Sequence, residues 1–313
     1  MIESIDLTSK RSYKSRKILN KIKKDKFYYL MFAPVFIMAV IFHYIPMFGI
    51  RYAFYKFTPF KKEFIGLENF ENIFFGVNSQ RFWNAVGNTI YLSLANLILG
   101  IIASVVFALL LNEIYNKKIR SAIQTIVYLP HFLSWVVTAS IFAIILSPQG
   151  GFVNNILQLF GKEPINFLIN EKWWRPIFLL IYRWKETGWG TIIYLAAMTS
   201  INPQLYEAAE IDGAGRWKQT IYITIPSLIP TILVVFILNL GKVLNIFESV
   251  FVLYNPMVYN VADVIETFTY RIGMQQADYG LGTAIGLFKS FIAMILVLIT
   301  NKFSKRIKGS DIL

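Results

Sequence analysis

The sequence predicts an all-α, polytopic membrane protein built as a six-helix bundle, and three observations carry that prediction. Of 313 residues, 56% are hydrophobic and only 16% charged, a mix too apolar for a soluble domain of this size. Six runs, roughly 27–50, 85–112, 121–147, 176–200, 226–246 and 282–300, approach or exceed the ~20 predominantly apolar residues that a bilayer crossing needs. Alternate connections differ in basic content, with eighteen Lys or Arg on the side of the N-terminus against nine on the other, and basic residues mark the cytoplasmic side. With an even number of crossings, both termini are expected in the cytoplasm.

The net charge of +13 concentrates in residues 1–26, where nine Lys or Arg fall between positions 10 and 26. A basic block directly before an apolar run reads as a cytoplasmic anchor on anionic lipid headgroups, and nucleic acid is not an expected partner. The first run is too long for a signal-peptide core and lacks a small-x-small cleavage site, so it reads as a retained transmembrane helix. The second and third runs are separated by the basic stretch "NEIYNKKIR". The external segments 51–84 and 148–175 combine aromatic residues with glycine and proline, and "SPQGGFVNNIL" reads as a turn leading into a short amphipathic helix. Such segments either meet an external partner or cap the bundle.

The fourth run contains "YRWKETGWG", which places Arg183, Lys185 and Glu186 in or near hydrocarbon, where an unpaired charge costs several kcal/mol. Arg183 and Glu186 are three residues apart and can meet on one helix face. Two readings stand: charges inside the crossing, or a helix that starts only after Glu186 and leaves them at the outer interface. Lys242 and Glu248 at the end of the fifth run and Lys289 within the sixth pose the same choice, with snorkelling as the bland reading of Lys289. The sixth run opens with "GLGTAIG", whose Gly282 and Gly286 form a small-xxx-small face suited to close helix packing. Residues 303–313 form a cytoplasmic tail. There is no cysteine, which excludes disulfides and thiolate metal sites, and His43 and His131 lie far apart in apolar surroundings and read as core or interface residues.

Between the fourth and fifth crossings stands a polar island, residues 201–225. In "INPQLYEAAEIDGAG", Asn202 is placed to cap a helix, Pro203 fits its first turn and Gly213 is a natural stop. Leu205, Ala208, Ala209 and Asp212 recur at helical spacing, giving a narrow face on which small alanines admit close approach by another protein. Glu207 and Glu210 project beside it. After the turn from Gly213 to Gly215, "RWKQTIYIT" starts a second short helix, and Pro226 restarts the chain at the mouth of the fifth crossing.

The order Glu207, Ala208, Ala209, Gly213, Ile223, Ile225, Pro226 resembles the EAA motif of permease subunits from binding-protein-dependent ABC importers, with Ile225 where that family usually carries leucine. "GLENFENIF", "FWNAVGNTIYLSLANLILG", "YLPHFLSW" and "YRIGMQQADYGLGTAIGLFKS" extend the resemblance along most of the chain, to the LplB-type branch of the maltose-type permease superfamily. The resemblance implies a six-helix importer permease domain, residues 27–302, in a bacterial cell membrane. Segment 203–226 would carry the coupling helix, on which Leu205, Glu207, Ala208, Ala209, Asp212, Gly213, Gly215 and Pro226 serve a cytoplasmic ATPase. It further implies a second permease subunit, two ABC ATPase subunits and an extracytoplasmic solute-binding protein. ATP and Mg would belong to the ATPases, and this chain would bind no cofactor; it has no G-x-x-x-x-G-K-[ST] loop, and "GAGRWKQT" has the wrong spacing.

A membrane-embedded enzyme would need nucleophiles, metal ligands or paired carboxylates converging at one depth, which the adjacent, mixed-sign Arg183, Lys185 and Glu186 do not provide. A secondary transporter would leave the EAA segment unexplained, and no internal repeat is visible. The resemblance favours a carbohydrate, an oligosaccharide or glycoside, as solute. Aromatic faces stack on sugars and polar groups bond hydroxyls, so Arg183, Trp184, Lys185, Glu186, Trp189, Asn239 and Lys242 are candidates for its path. Trp184 and Trp189 read equally well as interfacial anchors.

Overall fold

The computed structural model describes residues 24–241 and 243–308, with side chains of the last helix described as far as Lys302. Lys242, the basic block before residue 24 and the end of the C-terminal tail lie outside the described residues. The chain divides after Tyr52 into two compact units.

In the first unit, α1 (Lys26–Ala39) runs into a five-residue π turn, Val40–Tyr44, and continues as helix to Met47. Pro46 accounts for the wide turn. Its ring would collide with the carbonyl of residue 42 and its nitrogen carries no hydrogen, so the helix loosens just ahead of it. The same arrangement recurs in the second unit, where a π turn, Thr220–Thr224, precedes Pro226.

The second unit opens on a small antiparallel hairpin, β1 (Tyr55–Phe57) with β2 (Lys62–Phe64), in which Tyr55 faces Phe64. The short helix α2 (Glu68–Phe74) is pinned to it by buried Asn69, whose amide donates to the carbonyls of Ala53 at 2.9 Å and Tyr55 at 3.0 Å. Helix α3 (Ser79–Asn112) is the second crossing. The fourth run lies in α7 (Glu171–Thr199), 29 residues and about 43 Å of helix. Against the six crossings expected, four helices among the described residues are long and apolar enough to cross a membrane, or five if the bent pair of the third run is one span, and the charge-bearing α7 is not among them. It starts well before Arg183, which decides between the two readings of that run: the charges lie inside the helix.

The third crossing departs from the continuous run expected over 121–147. Helix α4 (Lys117–Tyr128), a 3-10 turn (Leu129–Phe132) and α5 (Trp135–Ile145) replace it, with the two halves bent by 105°. Two local causes are visible. Pro130 disturbs the hydrogen-bond ladder, and Ser134 starts a new helix by accepting the Val137 N–H on its hydroxyl at 3.2 Å. Beyond it, α6 (Phe152–Leu159) is the short helix expected after "SPQGG". Fully buried Asn154 fastens α6: its amide donates to the carbonyls of Leu146, Ser147 and Ile165, and its oxygen accepts the Ile165 N–H at 2.7 Å.

After α7 come α8 (Pro203–Ile211), α9 (Arg216–Gln219), the π turn and α10 (Ile225–Leu240), the fifth crossing. The chain then folds through α11 (Phe247–Leu253), α12 (Tyr259–Ala262) and α13 (Ile265–Tyr270) into the long helix α14 (Tyr279–Lys308). Of the small-xxx-small pair on α14, Gly282 has the expected role, since a Cβ there would lie 2.7 Å from the Cα of Gly273. Gly286 meets nothing within 4 Å. Lys289 on α14 pairs with Glu266 on α13 and also donates to Asn245 at 3.0 Å, so its ammonium is held inside the chain.

Helices α3 and α7 lie side by side, and their contacts advance together along both chains. Asn88 meets Arg175, Asn96 meets Arg183 and Ser104 meets Thr191, at 2.6, 3.1 and 3.4 Å. Equal steps of eight residues on the two helices keep these polar rungs in register, and because each step turns a helix by about 80° the line of contact winds around both as they advance. Between rungs the helices close on small residues: a Cβ on Gly190 would sit 2.4 Å from the Ser104 hydroxyl, and one on Gly100 would strike the Arg183 guanidinium at 2.2 Å. Apolar clusters fill the rest, one around Trp174, Phe178 and Ile181 of α7, another around Leu111, Tyr194 and Leu228.

Candidate functional site

Two regions hold the residues singled out in the sequence. The first is the elbow of α8 and α9. Asn202 caps α8 as expected, accepting the Gln204 N–H on its side-chain oxygen at 3.0 Å, with Pro203 in the first turn. Gly213 ends the helix at φ +74°, a conformation that disfavours any residue with a Cβ. Leu205, Glu207, Ala208, Asp212, Gly213, Gly215 and Pro226 are exposed and Ala209 is half-buried. The expected α8 face is therefore open along most of its length.

The elbow is tied to the helix bundle at few points. The Gln219 amide donates to the Ala214 carbonyl at 3.0 Å and closes the turn between α8 and α9. Arg216 lies 3.7 Å from the Glu113 carboxylate and 4.7 Å over the Tyr115 ring, just past the end of α3. The Tyr206 hydroxyl meets the Thr224 hydroxyl at 2.9 Å. Sequence reasoning passed over Tyr206 and Thr224. A tyrosine inside a motif gives no local sign of a partner eighteen residues on.

The second region is the charged turn of α7 against the bend of the third crossing. Lys185 is buried, 4% exposed, and its ammonium donates to the His131 carbonyl at 2.7 Å and approaches that of Pro130 at 3.5 Å. These carbonyls lie at the 3-10 turn where the helix breaks; that of Pro130 already accepts the Leu133 N–H at 3.1 Å, and the lysine supplies a donor to that of His131. Glu186 accepts from Nδ1 of His131 at 2.9 Å and lies 3.7 Å from Lys185. The anticipated contact of Arg183 with Glu186 across one turn does not form; Arg183 turns instead to Asn96 and to the face of Tyr182 at 4.9 Å. Close packing explains the register: a Cβ on Gly188 would approach the Val127 carbonyl oxygen to 2.2 Å, so only glycine lets the bent segment lie this close to α7.

The aromatic candidates separate onto different faces. Trp189 stacks on His131 with centroids 4.6 Å apart and rings 5° from parallel, and Phe132 stands edge-on to both. Trp189 and Phe132 are exposed, and the His131 and Glu186 side chains are about a quarter exposed. Trp184 instead lies against Phe142 at 5.2 Å. Asn239 donates to the Val235 carbonyl of its own helix at 2.8 Å, and Lys242 falls outside the described residues. His131 and Phe132 thus join Glu186 and Trp189 in one exposed aromatic and acidic patch. The stretch "YLPHFLSW" pointed to the region without indicating which side chains would face outward.

Comparison with known proteins places this geometry in context. Residues 96–309 match the family described as binding-protein-dependent transport system inner membrane component. The chain is 39% identical over 308 residues to the polygalacturonan/rhamnogalacturonan transport system permease protein YteP of Bacillus subtilis, covering 97% of this chain and 95% of that one. It is 37% identical to Protein LplB of the same organism, over 91% and 90% of the two chains. Its fold is similar to a chain in the crystal structure of a bacterial ABC transporter involved in import of the acidic polysaccharide alginate, with 42% identity, a TM-score of 0.85, and coverage of 93% of this chain and 99% of that one. A second such structure, equally similar at a TM-score of 0.85, holds that transporter in complex with an alginate pentasaccharide-bound periplasmic protein.

Proposed function

This chain belongs to the family of binding-protein-dependent transport system inner membrane components, and on that premise we propose that it forms half of the translocation pathway of an ATP-driven oligosaccharide importer. It is a multi-pass membrane permease subunit and performs no covalent chemistry. The solute would arrive on an extracytoplasmic binding protein, a second permease subunit would complete the pathway, and two ATPase subunits, which hold ATP and Mg, would drive it from the cytoplasm. Both termini and the α8–α9 elbow would face the cytoplasm, in keeping with the excess of basic residues on that side.

The exposed, capped helix α8 is the observation that carries this reading. A polar helix of nine residues between two crossings, with an open Leu205–Ala208–Asp212 face, is suited to a groove on a cytoplasmic partner. When the ATPase pair closes, α8 would move and bias the helix bundle between inward-open and outward-open states.

Partly exposed polar groups support the position of the solute path. A carboxylate or imidazole facing lipid is costly, and such groups in membrane helices turn toward water-filled cavities. His131 and Glu186 are partly exposed on one face beside Trp189 and Phe132, a combination that stacks on sugar rings and accepts hydroxyl hydrogens. Lys185, sequestered on backbone carbonyls, would hold the bend in place. Arg183, Trp184, Asn239 and Lys242 complete the set of path candidates. Because relatives are named for transport of polygalacturonan, rhamnogalacturonan and alginate, uronate-bearing oligosaccharides are the first solutes to try.

The test is uptake by cells co-expressing this chain with its neighbouring permease, solute-binding protein and host ATPase, using labelled galacturonate, alginate and neutral arabinose oligosaccharides. ATP-dependent uptake of at least one is expected, together with co-purification of the ATPase. Glu207→Lys combined with Gly213→Pro should abolish both. Uptake that survives the double substitution, or a complex that assembles without an ATPase, would overturn the coupling role.

A further inference from the structure

Helix α8 is flanked by two joints that would dissipate a push. On its C-terminal side the chain turns through Gly213, Ala214 and Gly215, with Gly213 at φ +74°. Beyond α9, the π turn Thr220–Thr224 leads into α10. The helix is continuous from Arg216 to Leu240, but the π turn widens it locally and Pro226 removes a further backbone donor just after it. A force applied to α8 and carried only along the backbone would have to pass through the glycine turn and this irregular stretch before it moved α10.

One contact bypasses both joints. Thr224, the last residue of the π turn, is buried at 4% exposure, and its hydroxyl lies 2.9 Å from that of Tyr206 on α8. Among the described residues, no other hydrogen bond or ion pair joins an α8 side chain to a membrane-crossing helix. The bond spans from the exposed helix to the base of α10 and closes a ring around the glycine turn, α9 and the π turn. A ring closed in this way would tie the movement of α8 to the foot of α10.

We propose that Tyr206 and Thr224 are a positioning pair that delivers the movement of α8 to α10, so that ATP hydrolysis by the partner subunits stays linked to solute movement. The inference rests on the reading of α8 as the ATPase contact. Their role is exerted through the two helical segments they join. Tyr206 supplies reach from a half-buried ring, and Thr224 supplies a buried anchor on the joint itself.

The complete importer in proteoliposomes tests this, with solute moved and ATP hydrolysed measured together for the oligosaccharides named above. Tyr206→Phe and Thr224→Val should each lower solute moved per ATP by about fivefold while ATPase rate changes by less than about twofold. Thr224→Ser, which keeps the hydroxyl, should behave as wild type. The double variant should be no worse than either single one, because both remove the same bond. A readout independent of solute comes from spin labels on Glu210→Cys and Ile229→Cys, since the chain has no native cysteine. Their distance distribution should be narrow with Tyr206 present and broaden in Tyr206→Phe.

An unchanged transport ratio in both single variants, losses that multiply in the double variant, or an unchanged label distribution would each overturn the proposal. If Tyr206→Phe fails to assemble, the comparison of Thr224→Val with Thr224→Ser decides alone, and equal behaviour of the two overturns it. Failure of the underlying reading looks different: there, Glu207→Lys with Gly213→Pro leaves ATPase capture intact.

Discussion

At the start of α7, polar side chains bond one another and nearby backbone inside the chain, whereas the elbow after its end is held by a few contacts at the surface. The Asn88 amide donates to the carbonyls of Asn260 at 3.1 Å and Asp263 at 2.9 Å, and its oxygen accepts from Arg175 at 2.6 Å. Arg175 donates onward to the Val261 carbonyl, and the Trp174 indole N–H to that of Leu253, both at 3.1 Å. Asp263 accepts the Thr267 hydroxyl at 2.7 Å and pairs with Arg271. Burial pushes the Asp263 carboxyl above its ordinary value, and the Arg271 guanidinium and Thr267 hydroxyl oppose that rise. The elbow shows little of this. Its ion pair, Arg216 with Glu113, has side chains 64% and 48% exposed, and α8 buries no residue. One end is tied into its own chain, and the other is left exposed.

Substitutions at the two ends should separate stability from coupling. Asn88→Leu would leave two buried carbonyls and one face of Arg175 without partners, a loss of about 3 kcal/mol. Thermal unfolding of the detergent-solubilised complex should show it as the largest fall in Tm. Gly188→Ala drives a methyl to 2.2 Å from the Val127 carbonyl oxygen; about 2 kcal/mol of destabilisation is expected, read in the same melt, with the bend of the third crossing displaced. Arg216→Ala removes only a solvent-screened pair and a ring contact, worth less than about 1 kcal/mol, so Tm should barely move. If Arg216→Ala costs as much stability as Asn88→Leu, the contrast between the two ends is wrong. If Asn88→Leu instead leaves Tm unchanged but alters ATPase capture, the division of labour between them is reversed.

The elbow was legible because each of its signals is local: a capping asparagine, a proline in the first turn and a glycine that must adopt positive φ all act within a few residues. The crossings were legible for a similar reason, since twenty consecutive apolar residues leave the backbone no alternative to helix in lipid. The break in the third crossing was half visible. Pro130 and Ser134 are recognisable punctuation, yet the run around them is apolar enough to hide a bend of 105°. What no window could reveal was partner choice. Arg183 and Glu186 share a helix face by spacing alone, but the neighbours that α3 and the bent segment bring up, Asn96 and His131, offered each a better site.

Composition, apolar run length and charge placement by themselves indicated a helical, multi-pass membrane protein with a capped polar helix between two of its apolar runs, and the spacing of "EAA" to Gly213 carried the resemblance to importer permeases. Those properties depend on the solvent each segment meets and on bonds within one turn. Tertiary structure alone decided which charges are spent on the fold, as with Lys185 on the His131 carbonyl, and which face outward, as with Glu186 beside Trp189. It alone decided that Asn88 closes contacts more than 170 residues away and that Tyr206 reaches Thr224. The reason is physical: a buried polar group takes whatever partner packing brings within about 3 Å, and packing is a property of the assembled helices.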